Sequence, residues 1–395
     1  MASAPVTDLF ATPIAKKLQV LYEQEQSEAR VPLEASDLPL SYEAFNSQWL
    51  TNVLCADTPG AKVVSFELGA PDEGSSNRRS LIVQYNAAGE SAGLPKKLFC
   101  KSWHRFSNRV VNAITGTLSA EMTFYQKVRD NLNIEAPRHR FAAIDKETFN
   151  GIIILTDISD SIEFFCTHDT PMNRSRAESQ LELLSKVHGR YYQHPELDRG
   201  LAGLGTWPEF FGRTRILGME ESSNAGFLAA EAVVPPRLYK EYDRIWPATL
   251  RSADKHNELP RTVIHSDVHL RNWYLVSGDK MGLSDWGCCT QGHWSRDLAY
   301  VIATACTIDD RRAWERDLIA YYLDRLASEG GARVSFDEGW DHYRQQMFSA
   351  LAFWTHTYTP TPGMPDMQPG DASLEFVRRI ATAVDDLDSL AVCER

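Results

Sequence analysis

The sequence contains no run of about eighteen apolar residues, so nothing in it predicts a membrane-spanning helix. Met1–Gln19 lack an apolar stretch behind a basic cluster, and no secretory signal is expected there. The seven cysteines, at positions 55, 100, 166, 288, 289, 306 and 393, are odd in number and show no metal-ligand spacing. Cys288 and Cys289 are adjacent, too close for a routine bridge, so reduced thiols in a cytoplasmic protein are expected. Positive charge is also short: 41 Lys and Arg face 53 Asp and Glu, a net charge of −12. That balance would repel a nucleic acid and attract a cationic small molecule. The chain has no internal repeat and no low-complexity tract.

What is present describes a globular chain with room for two domains: 395 residues, 43% of them hydrophobic and 24% charged. Residues 1–58 read as an N-terminal helical extension. Ile14, Leu18 and Leu21 recur at helical spacing, and Phe45, Trp49, Leu50 and Val53 follow a capping-type start. Over 59–157 the pattern changes to short strands: Val63–Leu68, Arg79–Tyr85, Leu98–Trp103, Phe141–Ile144 and Gly151–Ile158. From Asn173 onward helical spacing returns at Ala177, Leu181, Leu184 and Val187. Helices are predicted over 297–305, 314–326, 343–358 and 373–390, with a Pro-, Gly- and Met-rich loop at 360–369.

The densest chemistry lies at 265–287. His265-Ser-Asp267-Val-His269-Leu-Arg271-Asn272 is followed by Asp285-Trp286-Gly287, and Thr262-Val-Ile, Trp273-Tyr-Leu-Val and Met281-Gly-Leu read as short buried strands around it. Asp267, Asn272 and Asp285 are oxygen donors suited to a hydroxyl proton and to a hard cation such as Mg²⁺. Their spacing matches phosphoryl-transfer sites, in which one Asp orients the attacking hydroxyl while an Asn five residues on and an Asp on the next strand hold the metal.

These motifs resemble the catalytic and metal loops of the aminoglycoside phosphotransferase/choline kinase-like family. His269, two residues after the expected base, is similar to that family's His-Gly-Asp-x-His-x-x-Asn habit, with Ser266 where Gly is usual. Asp297-Leu-Ala resembles the family's Asp-Leu-Ala element at the start of a helix. Gln48-Trp-Leu-Thr-Asn-Val-Leu with Ala61-Lys-Val-Val also looks like the ecdysteroid kinase-like branch, although that branch more often has Trp at the position of His269. The resemblance implies an α+β, protein kinase-like two-lobe fold. Residues 59–157 would form an N-lobe with an antiparallel sheet and a helix, and 158–395 a mainly helical C-lobe with the catalytic loop and the acceptor site.

It also implies roles. Asp267 would be the catalytic base, Asn272 and Asp285 the Mg²⁺ ligands, and His265 and Asp297 structural supports of the loop. Lys101, a charged residue in an apolar strand, would hold the α- and β-phosphates of ATP, with Glu121 on a helix opening at Ala120 as its partner. The Gly69–Asn77 turn lacks G-x-G-x-x-G, so Ser75, Ser76 and backbone N–H groups would meet the phosphates. Thr156-Asp157-Ile158-Ser159 resembles the adenine-binding linker. His188, in Leu184-Ser-Lys-Val-His, is expected to be a hydrogen-bonded core histidine packed under the catalytic loop. His269 and Arg271 lie inside the loop, within reach of phosphate or acceptor.

Trp294, Trp354 and Tyr358 are the expected walls of an acceptor pocket. With the excess of acid, they point to a small-molecule hydroxyl acceptor carrying an amine, an amino alcohol or aminoglycoside-like molecule. Two other readings stand beside this one: a kinase of a bulky hydrophobic alcohol such as a sterol or macrolide, and a nucleotide-binding pseudokinase with a regulatory role. No Ala-Pro-Glu-like segment separates Asp285 from Asp297, which leaves no room for the peptide-docking loop of a protein kinase.

Overall fold

The computed structural model of the chain describes residues 9–364 and 367–394. The first eight residues of the expected extension, and residues 365 and 366 of the expected loop, lie outside the described residues. The chain forms two compact units. Of the described residues, one unit is built from those between 9 and Arg129 together with Pro137–Asp160, the other from Asp130–Ala136 together with those from Ser161 onward.

The first unit is organised by an antiparallel sheet. Its strands are β1 (Val63–Leu68), β2 (Asp72–Glu73), β3 (Asn77–Tyr85), β4 (Lys97–Ser102), β5 (His139–Ile144) and β6 (Gly151–Thr156). They are arranged β1-β3-β4-β6-β5, with β2 folded back on β3. Leu81, Val83 and Tyr85 alternate with exposed residues along β3, so one face of the sheet is apolar. That face is covered by the helix Ser47–Leu54, whose Trp49, Leu50, Val53 and Leu54 share a core with Leu81, Val83, Leu98, Cys100, Ile152 and Ile154. Residues 9–58 therefore belong to this unit, and Tyr42–Cys55 enter its core, rather than standing apart as an extension. The indole N–H of buried Trp49 is satisfied, donating to the carbonyl of Asp37 at 2.8 Å.

Two helices, Phe106–Thr115 and Thr117–Thr123, follow β4. Gly116 separates them with φ of 79°, a left-handed conformation that glycine adopts without steric cost. Glu121 thus lies in a helix that opens at Thr117 rather than at Ala120.

The second unit is mainly helical. Its strands are β7 (Phe164–Phe165), β8 (Thr262–Ile264), β9 (Trp273–Ser277), β10 (Lys280–Leu283) and β11 (Thr290–Gly292). They form a three-stranded sheet, β10-β9-β7, and a separate β8–β11 pair. At the centre is the helix Ser295–Ala305, all of whose residues are buried. The helix predicted over 343–358 is two helices, Phe336–Gln345 and Met347–Tyr358. The break falls at the buried Gln346, whose amide donates to the carbonyl of Ser252 and whose oxygen accepts from His256, contacts that hold it in place between the two helices. The helix predicted over 373–390 ends at Asp386, and Asp388 (φ 50°) turns the chain into a short helix, Ser389–Cys393. An antiparallel sheet in one unit, and a mainly helical second unit with its acidic loop between short strands, make this an α+β fold.

Candidate active site

Lys101 lies on β4, a strand hydrogen-bonded on both sides, opposite Arg78 of β3 and Ile153 of β6. Its side chain is buried, as is that of Glu121, and its ammonium donates to both carboxylate oxygens, at 2.9 and 2.8 Å. A buried ammonium is tolerable only with such a partner. The other lysines of this region form surface pairs, Lys96 with Glu90 and Lys97 with Asp160.

The turn between β2 and β3 is tied down from two sides. The amide of Asn108 donates to the Gly74 carbonyl at 2.7 Å, and the side-chain oxygen of Asn77 accepts from the backbone N–H groups of His104 and Arg105 at 3.1 and 3.2 Å. Sequence reading missed both asparagines, because a single Asn in a helix or at a strand start carries no pattern. Ser75 is exposed and Ser76 is buried, so Ser75 alone of the two presents its side chain to solvent. Asp157 follows β6: its N–H donates to the Lys97 carbonyl at 3.1 Å and its carboxylate caps the N–H of Ser159 at 2.8 Å, with Ile158 half-buried between them.

In the second unit, residues 265–272 run from the end of β8 to the start of β9. Asp267 is half-exposed there. The N–H of Asp267 donates to Nδ1 of His265 at 3.2 Å, and Nε2 of His265 lies 2.9 Å from the Ser284 carbonyl. A backbone N–H can only donate, so Nδ1 of His265 is the acceptor and Nε2 carries the proton. Burial lowers the pKa of His265 and keeps the ring in this neutral form. The amide of Asn272 donates to the carbonyl of Asp267 at 2.7 Å and to its carboxylate at 3.3 Å. Oδ1 of Asp267 accepts from the Tyr300 hydroxyl at 3.1 Å, and Nε2 of His269 lies 3.5 Å from Oδ2. Burial alone would raise the Asp267 pKa, but His269 and the Tyr300 bond outweigh it and draw the carboxyl down from 3.8 to about 2.

The loop rests on Asp297 in the first turn of the helix Ser295–Ala305. Its two oxygens accept from the N–H groups of His265 and Ser266 at 2.7 and 2.9 Å, and one also meets Nε2 of His188 at 3.2 Å. His188 is wholly buried, with Nδ1 2.6 Å from the Tyr322 hydroxyl. Burial opposes ionisation of Asp297, and the His188 contact, the nearby rings and the backbone donors nonetheless hold its pKa below the ordinary value. Ser266 has φ of 68°, which accounts for the glycine usual at this place. Serine is held there by its hydroxyl on Thr290, at 2.8 Å, and by Arg296, whose guanidinium donates to its carbonyl at 3.1 Å.

Asn272 and Asp285 sit at one end of the β9–β10 ladder, beyond its Trp273–Leu283 pair. The Asn272 carbonyl accepts from both the N–H and the hydroxyl of Ser284 at 2.9 Å, which fixes Asp285 as the next residue along. Asp285 has φ of 57° and ψ of 67°, a conformation that Asp tolerates better than most residues. No group of three or more His, Cys, Asp or Glu suited to a metal exists among the described residues. A carboxylate and an amide oxygen are instead the sparse, all-oxygen set with which Mg²⁺ is held when nucleotide phosphates supply other ligands.

The three aromatic residues expected to line an acceptor pocket do not share one place. Trp294 is fully buried, 5.5 Å from the Tyr322 ring and 4.5 Å from His293, and is a core residue. Trp354 packs 5.1 Å from His269 and 4.5 Å from Phe376, beside the catalytic loop, and Tyr358 is half-buried one turn further along its helix. Arg271 is half-buried within the loop. Tyr300 escaped the sequence reading; the signal was its place three residues after Asp297, on the same helical face.

No curated protein matches the chain. Among solved structures, the GDP complex of wild-type aminoglycoside 2'-phosphotransferase-IIIa is similar with 10% identity and a TM-score of 0.49, covering 87% of this chain and 99% of that one. Plasmodium vivax ethanolamine kinase is similar with 10% identity and a TM-score of 0.45, covering 81% of each chain. Choline kinase LicA from Streptococcus pneumoniae is similar with 12% identity and a TM-score of 0.45, covering 82% of this chain and 94% of that one. Residues 166–336, which contain the loop, Asp285 and Asp297, match the model of the APH phosphotransferase enzyme family.

Proposed function

We propose that the chain transfers the γ-phosphoryl group of ATP to a hydroxyl of an amine-bearing small molecule, an amino alcohol or an aminoglycoside-like compound. The observation that carries the reading is the Asp267 carboxylate, half-exposed, ionised, and held by Asn272 and Tyr300. In this reaction the acceptor hydroxyl gives its proton to Asp267 as its oxygen bonds to the γ-phosphorus. The bond from that phosphorus to the bridging oxygen breaks, and its electron pair leaves with ADP. Asp285 and the Asn272 side chain would hold Mg²⁺, which when bound supplies positive charge to the phosphates. Lys101 would hold the α- and β-phosphates, with Glu121 fixing its rotamer. Ser75 and the backbone of its turn would add phosphate contacts, and the backbone of Asp157 and Ile158 would serve adenine.

The amine preference rests on the net charge of −12, which draws cations, and on Trp354 beside the loop. The test is ATP turnover with matched acceptors, an amino alcohol against the corresponding diol, at two ionic strengths, with the phosphorylated product identified by mass. An ammonium group desolvated near aromatic faces should favour the amine by roughly tenfold in kcat/KM, less so in high salt. Faster turnover of neutral, bulky alcohols would replace the acceptor class with a hydrophobic one. Tight ATP binding with no transfer to any acceptor would make the chain a nucleotide-binding pseudokinase.

A further inference from the structure

Three consecutive loop residues are held by one helix. The helix Ser295–Ala305 binds the N–H groups of His265 and Ser266 through Asp297, the carbonyl of Ser266 through Arg296, and the carboxylate of Asp267 through Tyr300. The first two contacts fix backbone. The third differs in kind, because it reaches the functional group itself. Tyr300 is 1% exposed and its hydroxyl lies 3.1 Å from Oδ1 of Asp267. Burial, reinforced by the Asp267 carboxylate and only partly offset by Arg296, pushes the phenol pKa well above its ordinary value. The phenol therefore keeps its proton and stays a donor.

The ring is itself fixed. The guanidinium of Arg296, fully buried, lies 4.6 Å from the centroid of Tyr300 and 4.6 Å from that of Trp207, in a three-layer stack. Nε and Nη1 of Arg296 have no hydrogen-bond partner among the described residues, so besides the Ser266 carbonyl its charge meets the aromatic faces. A buried cation left this way is costly, and Arg296 accordingly has a lowered pKa, chiefly from burial. The Tyr300 carbonyl is further anchored by the Thr304 hydroxyl at 2.8 Å.

We infer that Tyr300, clamped by Arg296 and Trp207, is a positioning residue that sets the rotamer of the Asp267 carboxylate for its attack-side role. The other contacts of the carboxylate, to Asn272 at 3.3 Å and His269 at 3.5 Å, are longer and hold it less firmly, and only one oxygen at a time can meet an incoming hydroxyl. Tyr300 occupies Oδ1 with a permanent donor, while Oδ2, with these longer contacts, is the oxygen that receives the proton. This inference rests on the assignment of Asp267 as the base.

The experiment compares the full-length wild type with Tyr300→Phe, which removes the hydroxyl and keeps the stacked ring. Kinetics with ATP and the best acceptor should show kcat lower by roughly ten- to a hundredfold, the range expected for a hydrogen bond to a charged group, with KM for ATP unchanged. A merely structural role would instead lower thermal stability or raise both KM values. In an Asp267→Asn background the same Tyr300→Phe change should cost nothing further, because the group it positions is gone. Crystal structures of both proteins give the answer without turnover. A rotated or split Asp267 side chain in Tyr300→Phe is the expected result, and an unmoved carboxylate with unchanged kcat would overturn the inference. If the wild type phosphorylates no acceptor, the proposed function falls, while the two crystal structures still decide whether Tyr300 fixes Asp267.

Discussion

The ammonium of Lys101 and the carboxylate of Glu121 form a two-oxygen pair, at 2.9 and 2.8 Å, with both side chains at or below a tenth exposed. Removing one partner takes away the two bonds that compensate the burial of the other charge. Glu121→Ala should therefore destabilise the unit that contains it by about 3–5 kcal/mol, more than the few tenths expected at the exposed Lys97–Asp160 pair. Denaturant unfolding of the two variants checks this. Equal losses at the two sites would mean that the buried pair is not electrostatically special. Nucleotide affinity, measured by calorimetry, should fall with Glu121→Ala as well, because the lysine loses its fixed rotamer.

Asp267 is held by groups that do not depend on the oxygen chemistry of its side chain: its own N–H on His265 and its carbonyl under Asn272. Asp267→Asn should leave this loop folded. The loss should fall on turnover, about 10²–10⁴-fold for a general base, with ATP binding retained. Near-normal kcat in that variant would remove Asp267 from the role.

The parts of the site that were legible in the sequence are those with a short, chemically dense pattern. Asp267, Asn272 and Asp285 lie within one loop–hairpin unit, and β9 and β10 place them by ordinary strand pairing. Lys101 stood out because charge in an apolar strand demands a partner. Tyr300, Arg296, Asn77 and Asn108 were not legible, since each acts across a long stretch of chain: 33 residues separate Tyr300 from Asp267, and 34 separate Asn108 from Gly74. Trp294 shows the opposite failure. Its neighbours in sequence suggested a site, but the side chain turns into the core beside Tyr322. Composition cannot tell an aromatic wall from aromatic packing, and the break at Gln346 was hidden for a similar reason, because its cause is the distant Ser252 and His256.

Asp285 offers the only carboxylate of the proposed cation pair, the Asn272 oxygen being neutral. Asp285→Ala should abolish the tightening of ATP binding by Mg²⁺, while binding of ATP in chelator changes little. Titration calorimetry with and without Mg²⁺ measures both. An unchanged Mg²⁺ dependence would place the metal elsewhere.

Stability should also depend on pH, in a direction set by buried histidines. Burial lowers the pKa of His104 to about 3, and of His256 and His356 to about 4, from 6.5. Native rings thus remain neutral at pH values where the unfolded chain takes up protons. Their contribution is fully present above pH 6.5 and is lost as pH falls from 6.5 toward 4, by about 1.4 kcal/mol per pH unit for each proton involved. Asp267, whose pKa falls from 3.8 to about 2, has the same sign but acts only below pH 4. Denaturant unfolding at pH 8, 6.5, 5 and 4 should therefore give a plateau followed by a decline that begins well before carboxylates titrate. His356 bonds Ser222 through Nδ1, and glutamine can keep a hydrogen bond there without ionising. His356→Gln should consequently flatten the slope between pH 6.5 and 4 by about one proton. A wild-type stability that stays level down to pH 4, or a His356→Gln slope equal to the wild type's, would show that these rings are not buried neutral in solution.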